Sequence, residues 1–188
     1  MAAVIGILVG PKSSGSNMAA IIRACQSGNL EAQVGVVVAP RDDAPARTNA
    51  ESLGVPTVVI EPGEAYGERL LVPLNGCDVV CLAGYLRLLP DEVLRAFPGR
   101  VLNIHPALLP RHGGQGMYGI KVHEAVLRDG DKESGCTVHR VTSEYDKGEI
   151  LLQRRCPVFT GDTPETLAQR VLIEEHLAYV EALRMVLP

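Results

Sequence analysis

Short apolar runs alternate with amphipathic segments over the first hundred residues of the chain. Five runs are short enough to be buried strands, at residues 2–10, 33–39, 55–60, 78–83 and 101–105. Segments with helical spacing lie between them, at residues 17–28, 44–53, 64–72 and 90–97. This alternation predicts an open, mostly parallel sheet of the Rossmann-like α/β class, with helices on both faces.

The pattern changes after residue 105. A loop with four glycines at 108–119 precedes a short predicted helix at 122–127, and two strand patterns follow at 136–141 and 150–159. A turn around Lys147 and Gly148 separates these strands, which predicts an antiparallel addition to the sheet. The last helix is predicted from a cap at Thr163 to near Met185. No linker divides the chain, so we predict one domain over residues 1–188.

Composition and charge narrow the classes of partner. The chain has 188 residues, a net charge of −4, no basic block and no Trp, which argues against a nucleic-acid partner. No apolar run reaches membrane-spanning length and no signal peptide is apparent, so a cytoplasmic location is expected. The five cysteines lack Cys-x-x-Cys spacing, which argues against a disulfide framework or a zinc site.

The stretch at residues 100–110 places two polar side chains where a strand ends. Asn103 and His105 are two residues apart, so they project on the same face of the strand that Pro106 closes. Ligands bind at such strand ends in open α/β sheets. An amide can donate to a developing oxyanion, and an imidazole can move a proton near neutral pH. A satisfied core histidine beside a turn-capping asparagine is the alternative interpretation.

The glycine-containing loop at residues 10–17 follows the first predicted strand. It has the glycine spacing of a Walker A loop, but Ser16 and Asn17 stand where the lysine and the magnesium-binding hydroxyl belong. It also lacks the dinucleotide fingerprint. The loop therefore predicts either a site for one phosphate at a helix N-terminus or a plain strand-to-helix turn with Asn17 as the cap.

Three further features have both a functional and a structural interpretation. Residues 84–90 are too apolar for an exposed loop, although core packing would explain them. Asp146 lies in a loop where a turn aspartate is common. Glu175 lies on the apolar stripe of the last helix, where a carboxylate needs a partner unless it reaches water at the helix edge. The remaining histidines have no spacing typical of a metal site, namely His123, His139 and His176.

Four motifs occur in one order along the chain: Gly-Ser-Asn at 15–17, Leu-Ala-Gly-Tyr-Leu-Arg-Leu-Leu at 82–89, Leu-Asn-Ile-His-Pro-Ala-Leu-Leu-Pro at 102–110 and Tyr-Asp-Lys-Gly at 145–148. Together they resemble the folate-dependent formyltransferases, and the likeness runs from Val4 to the last helix. The resemblance implies a phosphate-binding half at 1–100 and a catalytic and folate-binding half at 101–188. It also implies a cis peptide bond between Leu109 and Pro110.

The resemblance implies roles for individual residues. Those implied to be catalytic are Asn103, His105 and Asp146. Those implied to bind the amine substrate are Gly15, Ser16, Asn17, Gly84, Pro106 and Glu175. Those implied to contact the folate are Leu86, Arg87, Leu88, Leu89 and Asn103. The loop before Asp146 is implied to close over the pterin ring, and Asp146 is implied to favour the charged form of His105. Two departures from the family pattern are Lys12-Ser13-Ser14 in the phosphate loop and residues 62–66, where an arginine of some members is unmatched.

The implied reaction is transfer of a formyl group from 10-formyltetrahydrofolate to the amine of glycinamide ribonucleotide, a one-carbon step of purine biosynthesis that needs no metal. The implied partners are these two small molecules, without nucleic acid or membrane, and a homodimer is compatible with the resemblance. One alternative is another formyl-folate-dependent formyltransferase. The other is a non-catalytic sensor of a phosphoribosyl ligand, which would not need Asn103, His105 and Asp146 together.

Overall fold

The computed structural model describes residues 2–187, so Met1 and Pro188, the outermost residues of the predicted domain, lie outside it. Strands and helices alternate along the chain. In order they are β1 (Ala3–Val9), α1 (Ser16–Gln26), β2 (Ala32–Ala39), α2 (Pro45–Ser52), β3 (Thr57–Val59), α3 (Tyr66–Leu74), β4 (Val79–Ala83), α4 (Asp91–Ala96), β5 (Val101–His105), α5 (Ile120–Arg128), β6 (Glu133–Arg140), β7 (Ile150–Pro157) and α6 (Pro164–Val186).

The strands form one seven-stranded sheet in the order β3-β2-β1-β4-β5-β6-β7. The first five strands pair in parallel, and β6 and β7 join in antiparallel fashion. The predicted fold class is therefore confirmed. Because the chain winds outward from β1 to β3 and then returns to β4, the strand order reverses between β1 and β4. The carboxyl ends of strands at such a point form a crevice.

Two apolar clusters cover the two faces of the sheet. One contains residues of α1 and α6 packed on β1 and β4, and the other contains residues of α3 and α4. Tyr179 of α6 is fully buried. Its hydroxyl lies within donor distance of two carbonyl oxygens, that of Leu82 at 2.9 Å and that of Leu102 at 3.0 Å. Helix α6 is thereby tied to both β4 and β5. No helix within residues 2–187 combines the length and apolar character needed to cross a bilayer.

Several predicted boundaries were wrong by two or more residues. Strand β3 has three residues instead of six, because it pairs only with β2 at the edge of the sheet. Strand β6 begins at Glu133, three residues early, because residues 133–135 pair with the far end of β7 despite lacking strand periodicity. Helix α3 begins and ends two residues late. The predicted cap of α6 is confirmed, since Thr163 and Thr166 form a capping box.

Candidate active site

A cavity of about 920 Å³ lies at the carboxyl ends of β1, β4 and β5. The loops before α5 and after β6, together with α6, form its other walls. Twelve of the thirteen residues proposed from the sequence line it, namely Ser16, Asn17, Gly84, Leu86, Arg87, Leu88, Leu89, Asn103, His105, Pro106, Asp146 and Glu175. The thirteenth is Gly15. The tertiary structure therefore brings residues from four separate motifs to one cavity.

Asn103 is oriented by a histidine that the sequence analysis did not include in the site. Strands β5 and β6 pair Asn103 directly with His139, and Asn103 Nδ2 lies 3.2 Å from His139 Nε2. His139 Nδ1 lies 2.9 Å from the Arg140 carbonyl, which can only accept, so this nitrogen carries a proton. His139 Nε2 then accepts from the Asn103 amide. This assignment leaves the second N–H of Asn103 free to donate.

Both ring nitrogens of His105 face protein acceptors. Nε2 donates to the His112 carbonyl at 2.7 Å, and Nδ1 lies 3.5 Å from Asp146 Oδ2. Burial lowers the pKa of His105 more than Asp146 and the His112 carbonyl raise it, so the pKa lies below its ordinary value. Asp146 acts in the direction that the resemblance implies, towards the charged form of His105, and burial opposes it. Desolvation outweighs one carboxylate at 3.5 Å.

The side chain of Asp146 contacts other groups of the site, whereas its backbone forms part of a turn. Its φ of 55° lies in the left-handed region, which favours aspartate and asparagine among non-glycine residues. Its Oδ2 accepts from the Gly114 N–H at 2.9 Å, and its Oδ1 lies 3.5 Å from His139 Nε2. Burial raises the pKa of Asp146, but the contacts with His139, His105 and the Gly114 N–H together lower it by more. The pKa of Asp146 therefore lies below its ordinary value, and the carboxylate is charged. The alternative of a turn aspartate therefore explains the backbone conformation of Asp146 but not its side-chain contacts.

The loop after β1 packs against the loop after β4 through positions that have room only for small residues. A Cβ on Gly10 would lie 2.0 Å from the Gly84 carbonyl oxygen, and a Cβ on Gly84 would lie 2.7 Å from Ser13 Oγ. The Ser13 hydroxyl also donates to the Ala83 carbonyl at 3.3 Å. The backbone contacts between these loops set the shape of this end of the cavity.

Gly15 has a steric role beside the cavity. It is the N-cap of α1 with φ of 78°, and a Cβ there would lie 3.0 Å from the Cβ of Ala46 in α2. The alternative in which Asn17 caps the helix was wrong, since Asn17 lies inside the first turn. Its side chain is free to reach into the cavity from that turn.

Glu175 and Asn17 form a buried pair across the cavity wall. Asn17 Nδ2 donates to Glu175 Oε2 at 2.6 Å, and Glu175 is only 8% exposed. Burial raises the pKa of Glu175 to about 7, against a smaller opposing effect of Asn17. The alternative of a carboxylate reaching water at the helix edge was therefore wrong. The amide oxygen of Asn17, Oδ1, is buried without a hydrogen-bond partner within residues 2–187.

Apolar side chains are exposed where the segment after β4 borders the cavity. Leu86 is 51% exposed and Leu88 is 47% exposed, whereas Leu89 is buried in the core. Core packing therefore explains Leu89 but leaves Leu86 and Leu88 available to a ligand. Tyr145 donates from its hydroxyl to the Leu86 carbonyl at 3.5 Å, which brings the loop before Asp146 to the same segment. A flat ring would find apolar contacts and free backbone groups here.

Two histidines of the site were missed from the sequence. His139 is nearly fully buried, and only the register of β5 with β6 places it beside Asn103. His112 lies in the glycine-rich loop and reaches His105 through its backbone, which leaves no signal in a side-chain motif. The cis bond implied between Leu109 and Pro110 is present just before it. Within the described residues, no group of three or more His, Cys, Asp or Glu side chains is arranged to hold a metal ion.

The fold and the site define an α/β protein with a cavity where its parallel strands end, lined by an amide, an imidazole and a carboxylate. The chain belongs to the formyl transferase family, whose model matches residues 6–183. The family resemblance found in the sequence motifs is thus confirmed.

Individual relatives agree with this membership. The chain is 47% identical over 175 residues to the chloroplastic phosphoribosylglycinamide formyltransferase of Arabidopsis thaliana, covering 89% of this chain and 60% of that protein. It is 36% identical over 182 residues to phosphoribosylglycinamide formyltransferase of Escherichia coli strain K12, covering 93% of this chain and 84% of that protein. The crystal structure of glycinamide ribonucleotide transformylase 1 from Symbiobacterium toebii matches with a TM-score of 0.89 and 41% identity, covering 97% and 86% of the two chains. The chain therefore spans less than two thirds of the Arabidopsis protein.

Proposed function

We propose that this chain transfers the formyl group of 10-formyltetrahydrofolate to the amine of glycinamide ribonucleotide. The observation that carries the proposal is the meeting of Asn103, His105 and Asp146 in one cavity, between the loop after β1 and the apolar segment after β4. The names of the relatives support the choice of substrates. The proposal requires two small-molecule substrates and no metal. A homodimer and a cytoplasmic location stay predictions.

Asn103 is suited to stabilise the oxyanion that forms when the amine attacks the formyl carbon. One of its N–H groups is directed to His139, and the other is free to point at the formyl oxygen. A donor held in this way does not need to reorganise as charge develops in the transition state. Asn103 is therefore proposed to act on the rate of the chemical step, with little effect on ground-state binding.

His105 is suited to accept the proton that the attacking amine must lose. Its Nε2 is protonated towards His112, so the neutral ring presents its lone pair at Nδ1 beside Asp146. A proton taken up at Nδ1 makes a cation that the Asp146 carboxylate stabilises. The same proton can then pass to the folate nitrogen as the bond from that nitrogen to the formyl carbon breaks. The lowered pKa of His105 fits a base that begins the reaction neutral.

The two substrates are proposed to enter from opposite ends of the cavity. The ribonucleotide phosphate would contact backbone and hydroxyl groups of Ser16 and its neighbours at the N-terminus of α1. Its amine would reach the buried pair of Asn17 and Glu175. The pterin would lie along residues 86–89. The division into a phosphate-binding half at 1–100 and a catalytic and folate-binding half at 101–188 stays a prediction, and in this arrangement both substrates contact residues on each side of it.

The direct test is to mix the purified chain with glycinamide ribonucleotide and 10-formyltetrahydrofolate. We expect the folate absorbance to change with formation of formylated ribonucleotide, identified by its mass, in a one-to-one ratio. Neither substrate alone should give turnover. Formate released without an amine would indicate a hydrolase, and ribonucleotide binding without any turnover would indicate the sensor alternative.

A further inference from the structure

Residues 112–114 contact both His105 and Asp146. The His112 carbonyl accepts from His105 Nε2 at 2.7 Å, and the Gly114 N–H donates to Asp146 Oδ2 at 2.9 Å. Gly113 packs against Leu109, whose side chain would have to move to accommodate a Cβ at this position. The position of this segment therefore determines the hydrogen bonds of an imidazole and a carboxylate at the same time.

The segment is held from outside the cavity by the side chain of His112. His112 Nε2 lies 2.7 Å from Asp131 Oδ2, and the two side chains are 7% and 14% exposed. His112 also has a φ of 55°, a left-handed conformation that costs free energy unless the surroundings maintain it. Arg111 contacts the other oxygen of Asp131 at 2.8 Å, but its side chain is 61% exposed and adds little.

His112 and Asp131 are separate from the proposed substrate contacts. Both line a smaller cavity of about 410 Å³ behind the loop, and neither lines the cavity that holds Asn103, His105 and Asp146. Any effect of Asp131 on the reaction must therefore be transmitted through His112 and its carbonyl. A variant of Asp131 alters this connection without removing a group that touches a substrate.

We propose that His112 and Asp131 are positioning residues that fix the tautomer of His105. Both the His112 carbonyl and the Asp146 carboxylate can only accept, but the carbonyl lies 2.7 Å from Nε2 whereas the carboxylate lies 3.5 Å from Nδ1. The shorter contact keeps the proton of the neutral ring on Nε2 and leaves the lone pair on Nδ1. The pair between His112 and Asp131 holds that carbonyl in place. The inference rests on the proposed function in so far as it assigns Nδ1 to proton uptake, while the tautomer itself can be measured without any turnover.

The kinetic test compares two aspartates that are two positions apart. Asp131→Ala removes the partner of His112, and we expect kcat to fall by about 10- to 100-fold, the usual consequence of a small displacement of a catalytic group. The KM values of both substrates should stay within about threefold. Asp129→Ala is the matched control, because Asp129 approaches His112 only to 3.8 Å. Asp131→Asn keeps the shape of the side chain and serves if Asp131→Ala does not fold.

Nitrogen NMR of the His105 ring separates a positioning role from a purely structural one. We expect the Nε2-protonated form in the wild type and in Asp129→Ala, and a mixture of tautomers in Asp131→Ala and Asp131→Asn. Lower thermal stability of the Asp131 variants with an unchanged tautomer and unchanged kcat would overturn the proposal. If the wild type does not transfer formyl groups, the proposed function fails, and the tautomer comparison still decides the role of His112 and Asp131.

Discussion

The two sides of the cavity are built from different kinds of contact. On the side of β1 and β4, the surface is shaped by backbone and small residues, such as Gly10, Ser13 and Gly84. On the side of β5 and β6, Asn103 lies 3.2 Å from His139 and His105 lies 3.5 Å from Asp146, and His105 and Asp146 shift each other's pKa values. Close backbone approach suits the holding of a phosphate, whereas proton transfer and charge stabilisation require titratable side chains in fixed positions.

Helix α6 joins the two sides. Glu175 is late in the sequence, yet its partner Asn17 lies in the first helix, 158 positions away. Tyr179, one turn further on, contacts β4 and β5 together. The proposed division between substrate binding and chemistry is thus a division in space, and substitutions on each side should affect different kinetic parameters.

The largest expected effect is on the side of β5. Asn103→Ala removes the proposed oxyanion donor, and kcat should fall by about 10²–10³, the usual cost of losing one such donor. The dissociation constants of both substrates should change by less than about threefold. Single-turnover kinetics with equilibrium binding would measure both quantities. A normal kcat with weak binding would assign Asn103 to the binding side instead.

The next effect concerns the buried carboxyl group that connects the two sides. The pKa of Glu175 is raised to about 7 in the folded protein, whereas in the unfolded chain a glutamate has a pKa of about 4.3. Because the folded state binds the proton more tightly, the free energy of unfolding should fall as the pH rises from about 4.5 through 7. Glu175→Gln should remove this dependence. The free energy of unfolding of the variant, relative to that of the wild type, should therefore rise by about 2–3 kcal/mol from pH 5 to pH 8.

Urea denaturation at the two pH values measures this difference. The matched control is Glu174→Gln, because Glu174 is a neighbour whose carboxylate pairs with Arg154 instead of Asn17. An equal pH response of wild type and Glu175→Gln would show that Glu175 remains charged in the folded protein.

A smaller effect is expected where the two loops of the binding side meet. Gly84 has a φ of 72° and a Cβ there would lie 2.7 Å from Ser13 Oγ, so Gly84→Ala should lower the free energy of unfolding by about 1–2 kcal/mol. By displacing Ser13 it should raise the KM of the ribonucleotide more than it changes kcat. Gly28→Ala is the control, because Gly28 has a φ of 75° with no atom within 4 Å of the added Cβ. Equal KM values for both variants would show that Gly84 does not contribute to substrate binding.

The smallest effect is a change in the titration of His105. Asp146 raises the pKa of His105 against a larger effect of burial, so Asp146→Asn should lower this pKa further. An NMR titration of the ring in the two proteins measures the change. His105→Ala and Asp146→Asn should also show a coupling of about 1 kcal/mol in a double-mutant cycle on kcat. Losses that simply multiply would mean that the two residues act separately.

Much of the fold could be predicted from local pattern. Strands β1, β2, β4 and β5 lie close to their predicted positions because each is a buried apolar run with turn residues at its end. The capping residues of α6 act over three positions, so the sequence alone places that helix start. Of the thirteen site residues that the sequence proposed, twelve line the cavity and Gly15 packs beside it, whereas His139 lines the cavity without having been proposed.

Other features depended on contacts between distant segments. The pairing of β5 with β6 places His139 beside Asn103, and a one-residue change of register would turn it to the opposite face. The contact of His112 with His105 involves a backbone carbonyl, whose direction depends on how the whole loop packs. The pKa of His105 depends on burial, which is a property of the assembled site. Residue types and their order therefore determined which chemical groups the protein has, whereas only the tertiary structure decided how those groups are oriented, desolvated and charged, because orientation and desolvation arise from atoms far away in sequence.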